Sequence, residues 1–262
     1  MKQAAARLAS LALVVALASL ASGCQRGAQD TGRDAAVRAF PQAARAVAGP
    51  ANADPASEAQ RDKVGEADSI MDFAEVRPGM TVADIGAGEG YFTIRLAPRV
   101  GKKGRVLAED IDRHVLARLG DRVQRERLDN VSITLGSAHD PHLPPASFDR
   151  IFLIHMYHEV GEPYAFLWHL RAALRPGGKV IVVDRDLPTD QHGMPPGLLF
   201  CEFDAVRFNL AEFVRKPQVS GYYGQFEAVG PRPEPSAIKP CQARQGAALL
   251  SGAGLQVKDR AG

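Results

Sequence analysis

The segment that most constrains this chain is Val82-Ala83-Asp84-Ile85-Gly86-Ala87-Gly88-Glu89-Gly90-Tyr91-Phe92, an apolar strand that runs into three alternating glycines and then a helix. Glycines at such a turn remove Cβ atoms, permit left-handed backbone and aim amide groups at a ligand in the crevice beyond the carboxyl ends of the strands. A nucleotide-like cofactor is therefore expected. A dinucleotide fingerprint needs a further glycine five residues after the first, where this chain has Tyr91, which disfavours NAD and FAD.

The surrounding sequence repeats the same grammar. Short β-branched or apolar runs at 81–85, 105–110, 131–135, 150–154 and 180–184 alternate with helical stretches at 91–100, 115–126 and 164–174, and little helix lies between the third and fourth runs. Strand–helix alternation of this kind predicts a parallel sheet. After a helix at 198–208, two more strands at 209–214 and 222–229 lie too close for a crossover helix and are expected to pair antiparallel, which makes seven strands. Upstream, Val64, Ile70, Met71, Phe73 and Val76 follow a helical spacing that stops at Arg77-Pro78-Gly79, a lead-in helix over 57–76. With 262 residues, 45% of them hydrophobic, the chain holds one domain, at 57–230, with extensions at both ends.

Four ordered stretches carry a family resemblance. They are the glycine turn, the strand end Glu109-Asp110 twenty residues after Gly90, the run Leu143-Pro144-Pro145-Ala146-Ser147-Phe148-Asp149-Arg150-Ile151, and the run Leu174-Arg175-Pro176-Gly177-Gly178-Lys179-Val180. Together they resemble the class I S-adenosylmethionine-dependent methyltransferases, most specifically over 77–184. The resemblance implies a Rossmann-like α/β fold with strand order 3-2-1-4-5-7-6, strand 7 antiparallel and helices on both faces. It implies S-adenosyl-L-methionine as cofactor, with Gly86, Gly88 and Gly90 around its methionine part and Asp84 nearby through the cofactor amino group or water. Asp110, rather than Glu109, falls on the ribose position. Many relatives have Gly-Asp-Ala after the third strand where this chain has Gly136-Ser137-Ala138, so adenine recognition is expected from Ser137, Ala138 or backbone amides.

The acceptor side is sought after the fourth strand, in Ile154-His155-Met156-Tyr157-His158-Glu159-Val160, which resembles a Tyr-His element found in a subset of that family. In-line displacement at a sulfonium methyl rests mainly on alignment, worth about 7 to 11 kcal/mol in well-oriented sites. A base adds roughly 10² to 10⁴ in rate for an acceptor that must lose a proton. His158 is the candidate base and Tyr157 a wall of the cofactor or substrate site; the alternatives are a helix cap for His158 and plain packing for Tyr157. His192, in a Pro/Gly-rich loop after the fifth strand that could cover the substrate, reads rather as a solvated loop histidine. His158, Glu159 and His192 lack the paired short spacing of a metal centre, and no metal is expected.

The N-terminus reads as an export signal over 1–24. Lys2 and Arg7 precede an uncharged apolar run of 13 residues at 8–20, short of the roughly 20 a spanning helix needs. Leu20-Ala21-Ser22-Gly23-Cys24 resembles a bacterial lipobox, with Ala21 where leucine is usual. Either Cys24 is lipidated and anchors an exported, periplasmic domain to the membrane, or ordinary cleavage occurs near 21–23. Residues 25–56 read as a flexible tether or frayed helix, and 231–262 as a C-terminal extension whose structure the sequence leaves open. Removing Lys2 and Arg7 from the 32 basic residues leaves 30 against 30 acidic ones, a neutral balance that argues against a nucleic-acid partner. Cys201 and Cys241 either pair, as export would permit, or stay free. The acceptor is a small molecule or a protein. S-adenosylmethionine is made in the cytoplasm, so two rival readings are a non-catalytic binding module and an envelope lipoprotein using the fold as an interaction surface.

Overall fold

The computed structural model describes residues 32–48, 58–216 and 221–241. The expected export signal at 1–24, with Cys24, and residues 242–262 lie outside the described residues. The chain divides into two units, Met1–Arg38 and Ala39–Gly262. Within the described part of the first there is one 3-10 turn, Ala35–Val37, opened by Asp34, whose side chain accepts the Ala36 amide at 3.0 Å.

The second unit is built on seven strands: β1 (Thr81–Ile85), β2 (Arg105–Asp110), β3 (Val131–Leu135), β4 (Phe148–Ile154), β5 (Leu174–Asp184), β6 (Phe208–Lys216) and β7 (Gly221–Ala228). Their order is β3-β2-β1-β4-β5-β7-β6, parallel throughout except that β7 runs antiparallel to both neighbours. This is the expected doubly wound sheet. The first three strands have the expected bounds because their β-branched runs end abruptly at Gly, Asp or Pro-Gly signals. β4 and β5 start earlier than expected, at Phe148 and Leu174. The Arg175-Pro176-Gly177-Gly178 stretch is a bulge inside the ladder, where the register jumps from Phe148 opposite Leu174 to Arg150 opposite Lys179. At Gly178 a Cβ would lie 2.6 Å from the Phe148 carbonyl, so only glycine lets the bulge close.

Helices flank the sheet: α1 (Glu58–Lys63), α2 (Glu66–Phe73), α3 (Thr93–Val100), α4 (Arg113–Arg125), α5 (Pro163–Ala173) and α6 (Pro196–Ala205). The single lead-in helix expected over 57–76 is in fact two. Gly65, at φ +65°, breaks it, and Val64 turns outward instead of joining the apolar face. Ile70 and Met71 of α2 and Leu96 and Val100 of α3 pack with Val82, Val106, Phe152, Ile181 and Val183 in one core. The unbroken apolar run Val180-Ile181-Val182-Val183 is fully buried, as a central strand covered on both faces requires.

The extensions are held by specific contacts where they are described. The tether expected over 25–56 is not loose at 40–48: the Phe40 ring stands edge-on to Trp168 at 5.6 Å, the Ala48 amide donates to the Thr189 carbonyl at 3.1 Å, and Arg45 is buried. Composition misled because one arginine, not an apolar run, fixes the segment. Likewise 231–241 is held down: Trp168 Nε1 donates to the Pro233 carbonyl, Arg232 lies 3.4 Å over the Trp168 ring, and Ile238 is buried. Cys241 closes a disulfide with Cys201 of α6, at a Cα separation of 6.0 Å, which settles the open question of those two thiols.

Candidate active site

The turn between β1 and α3 is a cradle made of backbone. Gly86, Gly88 and Gly90 all have positive φ, between 56° and 87°. A Cβ at Gly86 would press on Met156 at 3.1 Å, whereas one at Gly88 would meet nothing within 4 Å. The turn is therefore closed by Met156 on one side and opens at Gly88. Its position is set from β2: the Ala87 amide donates to the Glu109 carbonyl at 2.9 Å, and the Gly88 amide to Asp110 Oδ2 at 3.0 Å.

The three acidic side chains around it occupy different environments. Asp84 is buried and accepts the Thr93 hydroxyl at 2.6 Å; burial pushes its carboxyl up to about 6, against the pull of that hydrogen bond. It thus stitches the end of β1 to the first turn of α3. Glu109 is also buried. Burial, followed by the neighbouring Asp110 charge, pushes its carboxyl up to about 8, opposed by a hydrogen bond from the Gly86 amide. A Cβ at Gly136 would collide with Glu109 Oε1, so a glycine is required where the Glu109 carboxyl tucks in. Asp110 is only half-buried, with Oδ1 accepting the Asp112 amide and Oδ2 the Gly88 amide, both at 3.0 Å. It is the acidic group at the rim of the cradle.

Ser137 and Ala138 sit at the end of β3, beyond Gly136. The Ser137 hydroxyl donates to the Asp140 carbonyl and accepts the Asp140 amide, both at 3.1 Å, and its own amide donates to the same carbonyl at 2.8 Å. Ser137 is thus consumed in closing its own turn. Ala138 is exposed beside it.

After β4 the chain divides its side chains between two neighbours. His155 reaches back to α2, its Nε2 3.3 Å from Glu66 Oε1, which also takes two hydrogen bonds from Arg61. Burial would raise the Glu66 carboxyl, but the His155 and Arg61 contacts outweigh it and hold it low. Tyr157 turns into the core. It is fully buried, its ring lies 5.4 Å from Phe203, and its hydroxyl donates to Glu202 Oε2 at 2.8 Å. Its ring and hydroxyl are both engaged with α6.

His158, 3% exposed, points toward the carboxyl end of β5. Its Nδ1 is 3.0 Å from each oxygen of the buried Asp184. A carboxylate so placed holds the proton on Nδ1 and leaves Nε2 as the available nitrogen. Nε2 is 3.8 Å from Glu159 Oε1, and the His192 ring stands edge-on to the His158 ring at 5.8 Å. His192 is not the solvated loop residue expected: its Nδ1 is buried and, among the described residues, has no hydrogen-bond partner. One donor atom from each of His158, Glu159 and His192 lies within 4.8 Å of the others.

Asp184, Arg45 and Glu202 were missed in the sequence. Arg45 Nε pairs with Glu202 Oε1 at 2.8 Å, and its guanidinium also donates to the carbonyls of Tyr157, His158 and Val160. Burial raises the Glu202 carboxyl, opposed by Arg45 and Tyr157. The 3-10 turn Tyr157–Glu159 is thus gripped by a residue more than a hundred positions earlier. Asp184 carried a usable signal, an acidic residue closing an otherwise apolar strand.

Comparison with known proteins bears on what this geometry serves. Residues 82–178 match the methyltransferase domain family. The ubiquinone/menaquinone biosynthesis C-methyltransferase of Shewanella frigidimarina is 31% identical over 120 residues, 45% of this chain and 47% of that protein. The chain thus aligns with about half the length of the curated relatives it matches. In fold it is similar to a SAM-dependent methyltransferase from Aquifex aeolicus, with a TM-score of 0.56 and 20% identity over 65% of this chain and 96% of that one. It is also similar to the [4+2]-cyclase SpnF, with a TM-score of 0.51 and 19% identity over 66% and 67% of the two chains. The same sheet therefore serves more than one reaction, and function has to be argued from the site.

Proposed function

We propose that this chain binds S-adenosylmethionine over the turn 86–90 and transfers its methyl group to a small-molecule or protein acceptor held at the carboxyl ends of β4 and β5. The observation that carries this reading is the cradle itself: left-handed glycines, open space at Gly88, and the half-buried Asp110 carboxylate alongside. The match of 82–178 to the methyltransferase domain family supports it. The cofactor supplies an activated sulfonium methyl. Asp110 is suited to accept the two ribose hydroxyls, while Met156, packed against Gly86, bounds the floor of the site. Ser137 is committed to its own turn, so any adenine contact at this point falls to the exposed Ala138 and its neighbours. His158 presents Nε2 on the acceptor side because β4, which delivers it, lies between β1 and β5.

An exported location is part of the proposal. The lipobox-like stretch ending at Cys24 motivates it, and the Cys201–Cys241 disulfide supports it, since such bonds persist in oxidising compartments. Labelled fatty acid should appear on the wild-type chain and be absent from Cys24→Ser; labelling of neither would leave plain cleavage or no export.

The activity is tested by calorimetric titration of S-adenosylmethionine and of S-adenosylhomocysteine into the purified chain and its Asp110→Ala variant. Micromolar binding that falls about 100-fold in the variant, close to 3 kcal/mol, is expected. Absence of binding to the folded wild-type chain would overturn the methyl-transfer reading and leave the fold intact.

A further inference from the structure

We propose that His158, Glu159 and His192 form a binding site for a divalent transition-metal ion, with Asp184 as the outer carboxylate behind His158. Three observations meet here. Donor atoms of two imidazoles and one carboxylate already lie within 4.8 Å of one another. Bonds of roughly 2.0 to 2.2 Å place donors roughly 3 to 3.6 Å apart, so closure by an ångström or so completes the set. The exposed Glu159 side chain is free to make that movement.

The second observation is the buried Nδ1 of His192, which has no hydrogen-bond partner among the described residues. Leaving a buried nitrogen unpaired costs about 1 to 3 kcal/mol, and a metal bond removes that cost. Its placement is not casual. Arg185 Nε and Nη2 both donate to the His192 carbonyl, at 3.1 and 2.8 Å, and fix the loop with His192 in a left-handed conformation.

The third is the carboxylate behind His158. Metal-binding histidines donate their other ring N–H to a carboxylate or carbonyl, which sets the tautomer and raises ligand basicity. Asp184, also accepting the Arg185 amide at 2.8 Å, does this for Nδ1 and directs Nε2 toward Glu159 and His192. A two-histidine, one-carboxylate set suits zinc, iron(II), cobalt(II) or manganese(II) rather than magnesium or calcium. Three protein ligands leave a coordination position open, and the acceptor class that would take it presents a hydroxyl oxygen, whose proton a metal makes easier to lose. That last clause rests on the methyl-transfer reading; the metal site does not.

The test uses the tag-free full chain, stripped with chelator and titrated with cobalt(II), while ligand-field absorption reports the bound ion and circular dichroism the fold. One equivalent is expected to bind. Glu159→Gln and His192→Ala should each weaken binding at least 10-fold, and Asp184→Asn should do so 10- to 100-fold. Because Glu159 is exposed, its variant is expected to fold even if His192→Ala does not. No stoichiometric uptake by the folded wild-type chain, or uptake unchanged in Glu159→Gln and in folded His192→Ala, would overturn the site. S-adenosylmethionine binding measured on the same samples separates this failure from failure of the methyl-transfer reading.

Discussion

The two halves of the candidate site are built in opposite ways. The cradle at 86–90 comes from one continuous stretch of chain, and its conformation is demanded by the absence of side chains. The region around His158 is assembled from Arg45, the turn after β4, the end of β5, the loop at His192 and Glu202 of α6, and it is held by charge and hydrogen bonds. The first half can be broken without touching the core. The second resists that at Arg45, His158, Asp184 and Glu202, whose polar side chains are buried.

This contrast sets the expected effects. The largest follows Arg45→Ala, which leaves Glu202 buried without its cation and strands three carbonyls; it should cost about 3 to 5 kcal/mol in urea unfolding. Asp110→Ala, in the cradle, should cost far less stability. If both variants lose the same stability, the contrast fails. Next is reduction of Cys201–Cys241. With the cysteines 40 positions apart, loop-closure entropy accounts for about 4 kcal/mol, read as a lower melting temperature in reductant.

A pH-dependent effect comes from the cradle's support. Glu109 titrates near 8 in the folded chain, raised first by burial, and near 4.5 in the unfolded one. Between those values the folded state binds the extra proton, so stability falls as pH rises from about 4.5 to 8, by up to about 5 kcal/mol for a shift of that size. Glu109→Gln should flatten that slope; an unchanged slope would show that the carboxyl is not held protonated.

The same contrast explains what could be read in advance. The strands, the antiparallel seventh strand and the glycine turn were legible because each rests on local periodicity, loop length or a residue type with no substitute, whereas the strand order came from the family resemblance. The break at Gly65 was missed since Val64 fits a helical face and only the left-handed glycine ends it. Tyr157 and His158 are neighbours in one motif, yet one turns toward Glu202 and the other toward Asp184; no spacing rule conveys that. His158 and His192 stand 34 positions apart, so a search for short paired spacings could not bring them together. Arg45 lay in a stretch whose composition reads as linker, and its role depends on partners more than a hundred residues away.

Cys201 and Glu202 are consecutive residues of α6, and each fastens one end of the domain: Cys201 bonds to Cys241 near the far end and Glu202 pairs with Arg45 near the beginning. The domain is therefore buckled like a belt at a single helix. A pull applied between its two ends is borne first through one covalent link on that helix and through the Arg45 contacts to Glu202 and to the turn after β4. Force-extension traces would then begin with the release of residues up to Arg45, while the strands that carry the cradle stay intact.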